Sequence, residues 1–302
     1  MYPFKNILFC TDFSPLSRSM LKYAAAFARH NEARLFIHNA QSATLPPQAL
    51  RLSERALAEH GFEWLVGIRQ ELEELATHDL VKGLDVRVLL TEGEPESEIP
   101  RIVQENGIDL VTIATQRIGK FGRPLLGSTA TAVLERVHCA ALVGRQPTHD
   151  FVYYKGSETT IALNRIVFAT DFKEYDAPAR KIALEMAKTH GAKVTAVHAL
   201  GAFLNYVHSV ALSDAHGMES LVREGALEKL AKLKDEAPGV EVETVVAEGR
   251  AYEEVLRIAS EQETDLVVMG IGARKTGNVI GHNAERVIRE MPCPVLVVPS
   301  GE

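Results

Sequence analysis

The chain has 302 residues, 46% apolar and 6% aromatic, with 33 Lys and Arg against 40 Asp and Glu for a formal net charge of −7. That length suggests about two domains, each able to bury an ordinary core, and the acidic balance argues against a nucleic-acid binder that works by neutralising phosphates. No apolar run approaches the roughly 20 residues of a membrane-spanning helix; no signal-peptide pattern precedes the first strand; and Cys10, Cys139 and Cys293 lack metal-ligand spacing, so free thiols in a reducing cytoplasm are expected.

The first strand signal is Ile7-Leu8-Phe9-Cys10, a short apolar run that breaks into Thr11-Asp12-Phe13. Its length and polar boundary fit a strand covered on both faces. Ser14 before Pro15 then predicts a helix start, with Met20, Leu21, Ala24, Phe27 and Ala28 at helical spacing. A second strand runs from Arg34 to Ala40. Residues from Gln48 to His78 read as helix, with Leu65, Ile68, Leu72 and Leu75 as the apolar stripe, weakened by Gly61 and Gly67. Strands follow at Val86–Leu90, Asp109–Ile113 and Ala140–Val143, separated by a helix at Ser97–Glu105 and by a glycine-containing loop leading into another helix.

The same order then repeats. Ile166-Val167-Phe168-Ala169-Thr170-Asp171-Phe172 lies 159 positions after its twin. Asp176 before Ala177-Pro178 predicts the next helix start, and a strand covers Lys193 to Ala199. The segment from Phe203 to Leu233 takes the place of the divergent middle helices. The later strands repeat at an offset of 156 (Asp109 with Asp265) and then 154 (Ala140 with Pro294), which locates a two-residue deletion in the last loop of the second half. Each half is therefore an α/β unit, doubly wound, with a five-stranded mostly parallel sheet and helices on both faces. The expected domains are residues 1–145 and 163–302. Residues 146–162 read as a linker, with Phe151-Val152-Tyr153-Tyr154 available to pack against one half. The placement of Asp12 and Asp171 at the carboxyl edge of a parallel sheet makes them ligand candidates; the alternative is that they only cap turns.

The repeated Thr-Asp-Phe, His198 near the end of a second strand, Gly-Glu-Pro at 93–95, Asp-Leu-Val at 109 and 265, Gly127-Ser128 and the closing Pro292-Cys293-Pro294-Val295-Leu296-Val297-Val298 together resemble the universal stress protein family, twice in one chain. The resemblance implies an adenine-nucleotide alpha-hydrolase-like fold and pairing through the last strands. Val295, Leu296 and Val297 would then meet Ala141, Leu142 and Val143 in an internal pseudo-dimer, with a further homodimer open. In the family's ATP-binding members a Gly-x2-Gly-x9-Gly-Ser/Thr loop lets backbone N–H groups approach phosphates at a helix N-terminus. Carried onto this sequence, the ligand set is Asp12, Ala40, Gly127, Ser128 and Thr129 in the first half, and Asp171, Ala199, Gly270 and Gly281 in the second. The motif is incomplete in both. Ala114 and Arg117 stand at the first two glycine positions of half one, where Arg117 either obstructs the cradle or pairs with a phosphate. Half two keeps Gly270, has Ala273 next, is two residues short, follows Gly281 with His282-Asn283, and offers Lys275 only as charge.

ATP is the cofactor so implied, with Mg2+ only where ATP binds. The leading expectation is a cytoplasmic, non-catalytic stress-response sensor or interaction module with degenerate nucleotide pockets, binding at most a small molecule and neither nucleic acid nor membrane. One alternative is a slow ATP hydrolase in half one. Another is apolar-ligand or metal binding by the 203–220 segment, where His208, His216 and Asp214 follow His198; but His208 and His216 stand two helical turns apart, too far for one zinc ion unless the chain bends. His198 itself reads as a structural histidine and the cysteines as packing residues. Glu71, Glu73 and Glu74 read as an exposed helical face. No Gly-x-Ser-x-Gly, His-Glu-x-x-His or Cys-x-x-Cys motif is present.

Overall fold

Apolar runs bounded by capping residues become parallel strands and their crossover helices in the computed structural model, which describes residues 4–42, 52–59, 62–115, 117–118, 124–145, 150–201, 215–274 and 277–300. The first half runs β1 (Asn6–Cys10), α1 (Pro15–Ser19), α2 (Leu21–Asn31), β2 (Arg34–Gln41), α3 (Glu54–Glu59), α4 (Glu63–Thr77), β3 (Val86–Glu92), α5 (Pro95–Asn106) and β4 (Leu110–Ala114). A small hairpin, β5 (Arg117–Ile118) and β6 (Pro124–Leu125), leads to α6 (Ser128–Arg136) and β7 (Ala140–Gly144). The second half runs β10 (Arg165–Ala169), α7 (Ala177–His190), β11 (Lys193–Ala199), α8 (Ala215–Glu236), β12 (Val242–Ala247), α9 (Ala251–Glu261), β13 (Leu266–Arg274), β14 (Gly277–Val279), α10 (His282–Glu290) and β15 (Val295–Pro299). Between the halves lies a hairpin of β8 (Val152–Lys155) and β9 (Glu158–Ile161).

Each half orders its five strands alike, β3-β2-β1-β4-β7 and β12-β11-β10-β13-β15, all parallel. The two sheets do not end at their last strands. β7 and β15 pair antiparallel, with Val143 opposite Val295, Leu142 opposite Leu296 and Ala141 opposite Val297. Backbone pairing thus makes one continuous sheet with an approximate two-fold axis at Leu142 and Leu296. The residues named from the resemblance meet, but as hydrogen-bonded edges rather than as two separate sheets laid together. Both core layers cross this junction. One contains Phe9, Phe27 and Leu142 with Phe168, Met186 and Leu296; the other contains Leu8, Val111 and Val133 with Val267, Val287 and Val297.

The last loops also cross it: β14 packs on α6, and β6 packs on α10. Each half therefore braces the helix that follows the other half's hairpin.

Within the segment expected as linker, the described residues form the β8–β9 hairpin. Gly156 adopts φ +60 in a two-residue turn between β-forming runs, with Lys155 opposite Glu158, the conformation that favours glycine in a tight hairpin. Phe151 is fully buried, its ring 5.1 Å from Tyr23 and 6.3 Å from Phe27. Asp150 accepts from the Tyr23 hydroxyl at 2.9 Å and pairs with Lys22. In the middle helices, Leu65, Leu72 and Leu75 are buried and Ile68 packs beside them. Residues 48–51 and 60–61 of the expected helix, and 203–214 of its counterpart, lie outside the described residues. Among the described residues no helix is long and apolar enough to cross a membrane.

Candidate ligand clefts

At the end of β1 the Thr11 N–H continues the ladder to His38 O at 3.0 Å, and then the chain turns sharply. Phe13 is forced to φ +61, and its N–H donates to Thr11 Oγ1 at 2.9 Å. Half two repeats this closely: Phe172 has φ +62 and donates to Thr170 Oγ1 at 2.9 Å. A left-handed phenylalanine costs on the order of 1–3 kcal/mol and persists only where its surroundings over-determine it. The turn presents Asp12 or Asp171 at the strand edge. Asn39 Nδ2 donates to Thr11 O at 2.8 Å, and His198 Nδ1 lies 2.9 Å from Thr170 O, so the two residues 159 apart do one job. His198 also stacks on Phe172 at 4.2 Å, and burial lowers its pKa. It is a satisfied structural histidine.

In half one a cleft of about 460 Å³ gathers Asp12, Ala40, Gly127, Ser128 and Thr129. Ala114 and Ile113 form apolar wall. Burial would raise the Asp12 carboxyl, but hydrogen bonds from Ser14 and Ser17 outweigh it and hold the group below its ordinary range. Its Oδ1 accepts the Ser14 N–H at 3.0 Å. Ser14 also caps α1, as its sequence position suggests, accepting the Ser17 N–H at 3.2 Å. Arg117 belongs by its backbone to β5, opposite Leu125; its side chain lies outside the described residues.

In half two a cleft of about 500 Å³ gathers Asp171, Ala199, Gly270 and Gly281. Here the aspartate is already engaged. The Tyr175 hydroxyl donates to Asp171 Oδ2, and Lys173 Nζ lies 3.2 Å from the same atom. Burial pushes Asp171 up, but these partners more than reverse it. The Tyr175 ring rests on Gly272, where a Cβ would sit 3.2 Å from the ring. Leu16 and Ser14 occupy the matching places in half one and supply neither contact.

Asp176, which the sequence marks as a helix cap, makes no side-chain cap bond. It turns inward instead. Its Oδ2 accepts the Thr170 hydroxyl at 2.7 Å and the Asp171 N–H at 3.0 Å. Burial, and then the nearby Asp171, push its pKa up to about 6. Ser17 stands at the matching place in half one, sharing a 3.0 Å hydrogen bond with Thr11 Oγ1. The sequence hint was the glycine at 270: a Cβ there would lie 2.5 Å from Asp176 Oδ1 and 3.0 Å from its Cα.

Where the resemblance places a triphosphate, the described groups bond one another. The loops expected to cradle it are β-hairpins, with Arg117 opposite Leu125 in one half and Gly272 opposite Val279 in the other. In half one the Gly127 N–H donates to Thr115 Oγ1 at 3.3 Å, and Thr129 Oγ1 bonds the Glu96 carboxylate at 3.2 Å. Hydrogen bonding keeps Glu96 ionised, led by its own backbone N–H, so an anion already stands at that rim. Among the described residues no lysine or arginine lines this cleft. Cys10 does line it, but burial raises its thiol far above its ordinary value, and burial pushes Cys139 and Cys293 up to about 12. Thiols so held are packing groups at neutral pH. Lys275, His208 and Asp214 lie outside the described residues, as does the His216 side chain. Among the described residues no cluster of three or more His, Cys, Asp or Glu could hold a metal.

Two strained Thr-Asp-Phe turns on a duplicated parallel sheet narrow the choice of family, and a profile decides it: that of the universal stress protein family matches residues 3–145 and 162–299. The chain belongs to the universal stress protein family, as two tandem domains. A universal stress protein of Methanocaldococcus jannaschii is 34% identical over 139 residues, covering 44% of this chain and 81% of that protein. One of Thermus aquaticus is 33% identical over 139 residues, covering 44% of this chain and 96% of its own length. Each relative thus corresponds to one half. Over the whole length, the crystal structure of a universal stress protein from Archaeoglobus fulgidus has a similar fold, with TM-score 0.64, 20% identity and 98% coverage of both chains. A protein of Pseudomonas aeruginosa described as functionally unknown gives 0.60 at 18% identity, covering 98% of this chain and 93% of its own.

Proposed function

We propose that this tandem universal stress protein is a cytoplasmic, non-catalytic stress-response sensor or interaction module, and that its half-one cleft takes a small ligand of nucleoside class. The carrying observation is the contrast between the two aspartates. Asp12 is bonded only by serines at its own turn, whereas Asp171 is bonded by Tyr175 and Lys173. A carboxylate beside apolar wall suits a ligand with hydroxyl or amine donors and an apolar body. The Glu96 carboxylate at the rim disfavours a polyphosphate tail there.

Calorimetry on the intact chain tests the reading, with adenosine, with AMP and with ATP plus Mg2+. Adenosine should bind once per chain, and Asp12→Ala should weaken it at least tenfold, about 1.4 kcal/mol, while Asp171→Ala leaves it unchanged. A second reading, a slow ATP hydrolase in half one, draws on Gly127-Ser128-Thr129 opening α6 at the cleft. ATP binding tenfold tighter than adenosine would favour that reading and overturn ours.

A further inference from the structure

Half two contains a second cavity, about 210 Å³, on the other side of the Thr170–Phe172 turn from its ligand cleft. Four cations from three segments converge on it: Lys173 after the turn, Arg180 on α7, and Lys229 and Lys232 on α8. Phe172 and Leu233 form its apolar floor. Two of the cations have partners. Arg180 Nε is 2.9 Å from Glu236, and Lys173 is held by Asp171. The other two make no ion pair among the described residues; Lys229 Nζ lies only over the Phe172 ring, 5.2 Å from its centroid. The remaining acid in the lining, Asp176, is buried and spends its carboxylate on Thr170 and Asp171.

The corresponding place in half one is charged the opposite way. There α4 supplies Glu71 and Glu74, and both face Arg18. Arg18 in turn lies over Phe13, 5.7 Å from the ring centroid, and donates from Nε to Phe13 O at 3.1 Å. Duplication has thus left one half with a surplus of carboxylates around Arg18 and the other with a surplus of cations around a hollow.

We propose that this cavity binds a small phosphate-class oxyanion, held by Lys229, Lys232 and Arg180, with the anion taking over part of the role of Glu236. A tetrahedral group with several acceptor oxygens suits donors that arrive from two helices and a turn, whereas a planar carboxylate would be served by the guanidinium alone. The space admits inorganic phosphate or the phosphoryl end of a small phosphomonoester. Because Lys173 borders both this cavity and the ligand cleft, a bound anion also competes with Asp171 for it.

The test is calorimetry and thermal unfolding of the intact chain with inorganic phosphate and with glycerol 3-phosphate, against chloride at matched ionic strength. Phosphate should bind and raise the Tm beyond chloride. The double variant K229A/K232A, at two exposed positions, should bind at least tenfold more weakly. E236Q, which releases Arg180, should bind several-fold more tightly, and Arg18→Ala in half one should change nothing. Equal affinity for the two phosphates assigns the site to inorganic phosphate; tenfold preference for the ester assigns it to a phosphorylated metabolite. No response beyond chloride, or phosphate binding that survives in K229A/K232A, overturns the proposal.

Discussion

Asp176 gives the structure a pH signature that can be isolated. Its pKa is raised from 3.8 to about 6, first by burial and then by Asp171. Below pH 3.8 the acid is protonated in both folded and unfolded chains and contributes no pH dependence. Between 3.8 and about 6 the unfolded chain has released the proton and the folded chain still holds it, so stability falls as pH rises. Above about 6 the loss is complete. At 1.36 kcal/mol per pH unit the full gap sets a ceiling of about 3 kcal/mol, and sharing of the proton's cost with Asp171 brings the expected loss to about 1–2 kcal/mol. Other carboxylates work in the opposite sense: Asp12, Asp171, Glu96 and Glu98 are all held below their ordinary values and gain stability as pH rises. The useful quantity is therefore the difference between the wild type and Asp176→Asn. The amide oxygen of the replacement can still accept from Thr170 and from the Asp171 N–H, while the charge is gone. Urea unfolding of both proteins at intervals from pH 4 to 8 should show the variant gaining about 1–2 kcal/mol relative to wild type across that range. Parallel curves for the two proteins would refute the assignment of a raised pKa to this carboxyl.

Other outcomes follow from packing. Gly270→Ala should cost about 1–3 kcal/mol in chemical denaturation, because the new methyl would meet the Asp176 backbone and carboxylate; Gly127→Ala, with nothing within 4 Å, should stay within about 0.5 kcal/mol, and equal effects would contradict the account. The double variant K173S/Y175L, which copies Ser14 and Leu16 of half one, should release Asp171 and raise adenosine stoichiometry from one per chain to two by calorimetry; a stoichiometry that stays at one would show that these two side chains are not what withholds Asp171 from a ligand. Phe151→Ala should destabilise by about 3–5 kcal/mol, since its ring is fully buried against Tyr23 and Phe27; a loss under about 1 kcal/mol would mean the β8–β9 hairpin is not anchored there.

The scaffold was legible because its physics is local and repeated. A strand buried on both faces must be apolar along its length, so Ile7–Cys10 and Ile166–Ala169 announce themselves, and the constant offset between them exposes the duplication. The hairpin in the supposed linker carried a readable signal too: Gly156-Ser157 sits between Val152-Tyr153-Tyr154 and Thr159-Thr160-Ile161. It was hidden by composition, since glycine and hydroxyl residues suggest a linker as readily as a turn. The contents of the clefts were harder. Asp176 has the sequence of a helix cap, and only the missing Cβ at Gly270, 94 residues later, gives its carboxylate somewhere else to go. Tyr175 likewise reaches Asp171 because its ring can lie on Gly272. Such choices are made by contacts between distant segments, which periodicity does not encode.

The two halves also separate what the turn needs from what a ligand needs. Phe13 and Phe172 hold nearly the same left-handed angle, although the side chains beneath them differ. In half one Thr11 shares its hydroxyl with Ser17; in half two Thr170 donates to the Asp176 carboxylate, which also takes the Asp171 N–H. A strained turn kept with two different hydrogen-bond arrangements rests on what the halves share, the sheet edge and its threonine. The ligand-facing groups were therefore free to diverge without loss of the fold. Half two used that freedom to bond its own aspartate internally, while β14 went on bracing α6 at the rim of the other cleft. A half whose own aspartate is engaged by Tyr175 and Lys173 can thus still support the cleft of the other.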